Sequence, residues 1–166
     1  MLSNLSPRAL FLALFAVCTG LLAYGLYLQH VVGLEPCPMC IMQRYAFVAV
    51  ALVALVAGLH GPARTGSIVY GVVVALLAAA GGTVAARQSL LQRSPPDIAE
   101  CGPGLEYLID SFGVAEALPM IFRGAGDCAA IDWTFLGLTI ANWSLLAFVA
   151  VGLFGLAMIA RGGRRP

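Results

Sequence analysis

Two cysteines separated by two residues stand in the stretch Glu35-Pro36-Cys37-Pro38-Met39-Cys40-Ile41-Met42-Gln43-Arg44. Thiols at that spacing can close a small, readily exchanged disulfide, and a helix N-terminus or a nearby cation favours the thiolate that performs the exchange. With a helix beginning near Cys40, Arg44 falls one turn further along on the same face. A cation just inside an apolar segment is costly to keep, which marks Arg44 as functional by default. The same residues admit plainer readings: a structural disulfide, half of a metal site, or an arginine that snorkels to the surface. Two more cysteines lie downstream among turn formers. Cys101 is followed by Gly102-Pro103-Gly104, and Cys128 is preceded by Gly124-Ala125-Gly126-Asp127, so both are expected in mobile stretches. The fifth, Cys18, lies in the middle of an apolar run, where a thiol packs as a small hydrophobe.

The elements that must position these residues belong to a membrane protein. The chain of 166 residues is 61% hydrophobic and only 10% charged, with no lysine, far too apolar for a soluble domain of that length. A net charge of +1, with basic residues clustered only in the C-terminal tail, gives nucleic acid nothing to hold. Uncharged runs place four spans at about 9–28, 41–59, 68–86 and 143–160, each long enough or nearly so to cross a hydrocarbon core of about 30 Å. The first run exceeds a signal-peptide core and has no convincing cleavage site, so it is expected to be retained. The second is short and needs Ile41 and Met42 to reach across, which draws Gln43 and Arg44 into the membrane edge and puts Cys40 at the boundary with water. In the third, Gly71, Gly81 and Gly82 permit a neighbouring helix to approach closely. Outer loops are expected at 29–43 and 87–142 and an inner loop at 60–67, where His60-Gly61-Pro62 ends the second helix. Within the long loop Leu105, Leu108, Ile109 and Phe112 recur with helical spacing, a short amphipathic helix. Trp133 and Trp143 look like interface anchors. The expected fold is thus an all-α integral membrane protein, a single four-transmembrane-helix bundle with a long outer loop carrying a short amphipathic helix.

Four spans put both termini on one side, together with Arg8, Arg64, Arg161, Arg164 and Arg165 and no acid. Arg44, Arg87, Arg93, Arg123 and every acid lie on the other side. The basic tail and the short loop favour a cytoplasmic assignment for the first side. Cys37, Cys40, Cys101 and Cys128 then face an outer compartment where disulfides persist.

Four outer cysteines can mean several things. A disulfide relay could lead from a soluble dithiol through Cys101 and Cys128 to Cys37 and Cys40, and on to a lipid-soluble acceptor. Zinc could be bound by all four, although Cys101 and Cys128 lack the paired spacing of zinc ribbons. Two inert disulfides could brace the loops of a structural or channel-like protein. Haem attachment is excluded, because Ile41 stands where a histidine should follow the second cysteine. Arg44, and the placing of one pair at the lipid boundary, favour the relay over the brace.

The chain resembles the DsbB family, bacterial inner-membrane proteins that reoxidise the periplasmic thiol oxidase DsbA. The likeness is carried by the four spans, Cys37-Pro38-Met39-Cys40 with Arg44 beyond it, and Pro95-Pro96 ahead of Cys101. It continues through Gly126-Asp127-Cys128, Trp133-Thr134-Phe135-Leu136-Gly137-Leu138 and Trp143, and so covers essentially the whole chain. The resemblance implies redox-active disulfides Cys37–Cys40 and Cys101–Cys128, exchange of the latter with a DsbA-like partner, and no metal. It also implies ubiquinone, or menaquinone, at the outer membrane edge, with Cys40 as the thiolate that engages it and Arg44 beside it. Where some relatives carry a histidine at the outer end of the third span, this chain has Gln88.

Overall fold

The structure is a computed structural model that describes residues 6–94 and 126–164, together with positions 107, 110, 111, 113 and 116. Cys101 and the apolar stripe of Leu105, Leu108, Ile109 and Phe112 lie outside the described residues. Among the described residues four helices are long and apolar enough to cross a membrane: α1 (Pro7–His30), α2 (Pro38–His60), α3 (Arg64–Arg93) and α5 (Ile140–Arg164). Ahead of α5 the described residues form a helical turn, α4 (Gly126–Ala129), and two short strands, β1 (Thr134–Phe135) and β2 (Leu138–Thr139).

Local chemistry sets the helix ends. Ser6 caps α1, its hydroxyl accepting from the Ala9 amide at 3.3 Å, with Pro7 in the first turn. Cys37 caps α2 in the same manner: its Sγ accepts from the Cys40 amide at 3.3 Å, and Pro38 follows. The cysteine pair therefore stands at a helix start, with one of its sulfurs as the cap. Every spanning helix outruns its apolar stretch. α3 continues past Arg87 to Arg93, and α5 starts at Ile140, ahead of Trp143. Arginine, glutamine and leucine are good helix formers, so a change in polarity at Arg87 ends the hydrophobic run without ending the helix.

The bundle packs α1 on α2, α2 on α3 and α3 on α5. Its core runs through Phe11, Cys18, Val50, Val74, Phe148 and Met158, while Val17, Leu52, Leu76 and Leu153 turn more than half of their surface outward. An apolar exterior of this kind is what hydrocarbon requires. Gly81 admits Phe148: a Cβ there would lie 2.4 Å from that ring, which stacks on Phe47 with centroids 4.1 Å apart. At Gly71 a Cβ would come within 2.8 Å of the Gly155 carbonyl, so the α3 and α5 backbones touch. Gly82 is different, with only ordinary contact at 3.5 Å. At one end of the bundle Phe11 of α1 meets Tyr70 and Phe154 edge-on, and the Arg64 guanidinium donates to the Gly162 and Gly163 carbonyls at 2.7 and 3.1 Å. At the other end, where α2 begins, α1 and α5 border a cavity.

Candidate functional site

Cys37, Cys40 and Cys128 meet at the head of α2. Cys37 Sγ and Cys40 Sγ are 2.8 Å apart, and Cys37 is set against Cys128. Cys37 and Cys128 pack in one buried cluster with Met39, Val84 and Leu91, and Cys128 is only 1% exposed. The turn formers before Cys128 suggest a loose, mobile stretch, but the residue sits on α4, which packs against α3 and α2. Burial of the sulfur holds this turn in place. Hydrogen bonding to Cys128 and then to Cys40, followed by burial, pushes the Cys37 thiol well above the ordinary range for cysteine.

Side-chain amides surround this cluster. The Gln88 Nε2 group donates to Cys37 Sγ at 3.3 Å and to Cys40 Sγ at 3.2 Å, and Gln43 Nε2 donates to Gln88 Oε1 at 2.6 Å. One turn along α3, Gln92 donates to the Ala130 carbonyl at 3.3 Å and accepts from the Thr139 hydroxyl at 2.7 Å. That pair of bonds ties α3 to the segment just after Cys128 and to β2. Arg44 lies one turn beyond Cys40, and its guanidinium reaches across to α1, donating to Gln29 Oε1 and, at 3.1 Å, to the Gly25 carbonyl.

Cys40, Arg44 and Gln88 open into a cavity of about 650 Å³, whose walls include Leu21, Phe47 and Trp143. An aromatic row rims it from α1 to α5: Tyr24 against Trp133, Trp133 on Phe135 and Phe135 beside Trp143, with centroids 6.0 to 6.3 Å apart. The Trp143 indole donates to the Phe135 carbonyl at 3.1 Å. Phe135 is held by the β1–β2 hairpin, whose turn residues Leu136 and Gly137 have φ of 52° and 77°. A two-residue hairpin turn of this hand needs positive φ at both positions. Largely apolar walls, a few convergent polar groups and this volume suit a flat, lipid-soluble ring compound.

Residue type and spacing single out Cys37, Cys40 and Arg44, the family resemblance points to Gln88, and all four line this cavity. The fold brings Cys128 to Cys37, while Cys101 lies outside the described residues. Spacing does not reveal Gln29, Gln92 or the hairpin. The available signal is the presence of uncharged amides in or beside otherwise apolar runs, since such groups need buried partners.

A four-span helical membrane protein with a buried dithiol at the head of its second helix belongs to the class of membrane disulfide oxidoreductases. The chain is a member of the DsbB family: the family model described as "Disulfide bond formation protein DsbB" matches residues 7–158. Relatives called Disulfide bond formation protein B are 67% identical in Aromatoleum aromaticum, over 94% of each chain, and 65% identical in Azoarcus sp. strain BH72, over 95% of this chain and 94% of the relative. A third, from Polaromonas sp. strain JS666, is 56% identical over 96% of this chain and 94% of its own. The protein acts in disulfide bond formation.

Proposed function

We propose that the protein reoxidises a soluble periplasmic dithiol oxidase of the DsbA kind and passes the electrons to a membrane quinone, ubiquinone or menaquinone. The reading is carried by one observation: the Cys37–Cys40 pair packs through Cys37 against Cys128 on one side and borders an apolar, quinone-sized cavity on the other. It places the chain, as one membrane domain, in the bacterial inner membrane with both termini cytoplasmic and the cysteines facing the periplasm. The acid-free arginines at the opposite end support that orientation.

In this reading the partner's thiolate attacks Cys101 of a Cys101–Cys128 disulfide, and Cys128 leaves as thiolate. The partner's second thiol then releases the oxidised partner. Cys128 attacks Cys37 of a Cys37–Cys40 disulfide and expels Cys40 as thiolate, and Cys101 closes on Cys128 to restore the loop disulfide. Two electrons now rest on Cys37 and Cys40. A bound quinone supplies the two-electron acceptor. Contact between Cys37 and Cys128 supports the exchange step, and the raised Cys37 thiol fits a sulfur that is attacked and not one that attacks. Cys40, on the cavity wall, is the sulfur nearest in role to the acceptor. The Arg44 fork, held by Gln29 and the Gly25 carbonyl, places fixed positive charge in the same low-dielectric space, where negative charge on an acceptor oxygen is stabilised.

Protein purified in detergent is expected to release a quinone into organic solvent in near-stoichiometric amount. Zinc in place of quinone would favour a four-cysteine metal site, and neither would favour a structural membrane protein braced by inert disulfides.

A further inference from the structure

Gln43 and Gln88 are each only 3% exposed, in the turns of α2 and α3 that face the dithiol. Burying an amide without partners costs roughly 2–7 kcal/mol, so a buried pair persists only where its bonds are met. Here Gln88 Oε1 is occupied by Gln43, which assigns the orientation of the Gln88 amide and leaves both Nε2 hydrogens for sulfur. Those hydrogens are directed at Cys37 Sγ and Cys40 Sγ, at 3.3 and 3.2 Å. Sulfur in a disulfide is a poor acceptor, whereas a thiolate is a charged one, and hydrogen bonds to charged groups are about twice as strong as neutral ones. N–H donation therefore acts selectively on the reduced form of the pair. A dithiol whose reduced form is stabilised is, when oxidised, a stronger oxidant.

We propose that Gln88, oriented by Gln43, is a positioning residue that holds the sulfurs of Cys37 and Cys40 and favours their reduced, thiolate-bearing form. The inference rests on the reading of Cys37 and Cys40 as a redox pair and adds a determinant of its potential. Both amides are neutral, so the stabilisation does not depend on protonation of the donor. Gln88 acts on the sulfurs through a fixed hydrogen-bond fork, and Gln43 acts only through Gln88.

The test is the equilibrium of the Cys37–Cys40 pair against glutathione buffers in the full-length protein in detergent, with acid trapping, alkylation and mass spectrometry of the peptide. Gln88→Leu is expected to lower the equilibrium constant for reduction at least ten-fold, which is about 30 mV toward more negative potential. Gln43→Leu should shift it in the same direction by less, and Gln88→His, which keeps one N–H donor, should fall between Gln88→Leu and the wild type. Should Gln88→Leu fail to insert, Gln43→Leu decides, because it leaves the donor in place and removes only its orientation. Variants that titrate with the wild type overturn this inference alone. A wild-type protein in which Cys37 and Cys40 never form a disulfide overturns the redox reading beneath it as well.

Discussion

Cys37 and Cys40 share one helical turn and both border the cavity, but only Cys37 is also set against Cys128 in the buried sulfur cluster. Hydrogen bonding to Cys128 and Cys40, with burial, raises the Cys37 thiol, so at a given pH it carries less thiolate than a free cysteine. In the reduced protein, alkylation of Cys37 at pH 8 should run at least ten-fold slower than in the denatured chain and catch up only at higher pH; equal rates would contradict the assignment. The corresponding contribution to stability is full below the unfolded thiol's pKa of about 8.5 and is lost as pH rises above it toward the folded value. Arg44 carries a second prediction. Arg44→Ala removes the charge from the cavity and two hydrogen bonds to α1, so the KM for quinone should rise ten-fold or more while the protein still inserts. Arg44→Lys should rescue only in part, because an ammonium lacks the planar fork. Unchanged quinone dependence in the alanine variant would exclude the role, and disappearance from the membrane would make Arg44 a residue of the fold. Cys37, Cys40 and Arg44 could be singled out in the chain because residue type and spacing carry their chemistry, and the fold sets them together with Cys128 at the head of α2. Gln92 and the Gln43–Gln88 bond could not be, since an amide's meaning depends on a partner across the bundle, here 45 residues away.

Helices were legible wherever lipid demands an apolar surface, and less so where it does not. Hydropathy located four spans, but the ends of α3 and α5 follow helix propensity and capping and extend into polar sequence. The hairpin escaped notice because Thr134-Phe135-Leu136-Gly137-Leu138 is too short to register a strand alternation, and its turn depends on Leu136 accepting a positive φ. Close packing separates two adjacent glycines that read alike in sequence. Gly81→Ala forces a Cβ to 2.4 Å from Phe148 and should destabilise the bundle by about 1–3 kcal/mol, whereas Gly82→Ala, at 3.5 Å, should be nearly neutral. Unfolding in increasing dodecyl sulfate would rank them. Equal midpoints would show that the Phe47–Phe148 stack does not depend on that gap.

On the scale of the whole molecule, one end is latched by Arg64 on the α5 carbonyls and by Phe11, and the other holds sulfurs, amides and the cavity. If the sulfur end is periplasmic, a membrane-impermeant thiol reagent added to reduced, intact spheroplasts should label Cys101 and leave Cys18, which is fully buried in the core. Labelling of Cys101 only after the membrane is broken would invert the orientation. Turnover is expected to be a coupled reaction in which two thiols of a soluble partner become a disulfide and a quinone takes up their two electrons. Its most direct measurement follows both products in proteoliposomes that contain the protein, reduced partner and quinone. One quinol should form for each partner disulfide, and Cys40→Ser or Cys101→Ser should each reduce turnover at least a hundred-fold. Undiminished quinol formation by the Cys40→Ser protein, or partner oxidation with no quinol formed, would contradict the account.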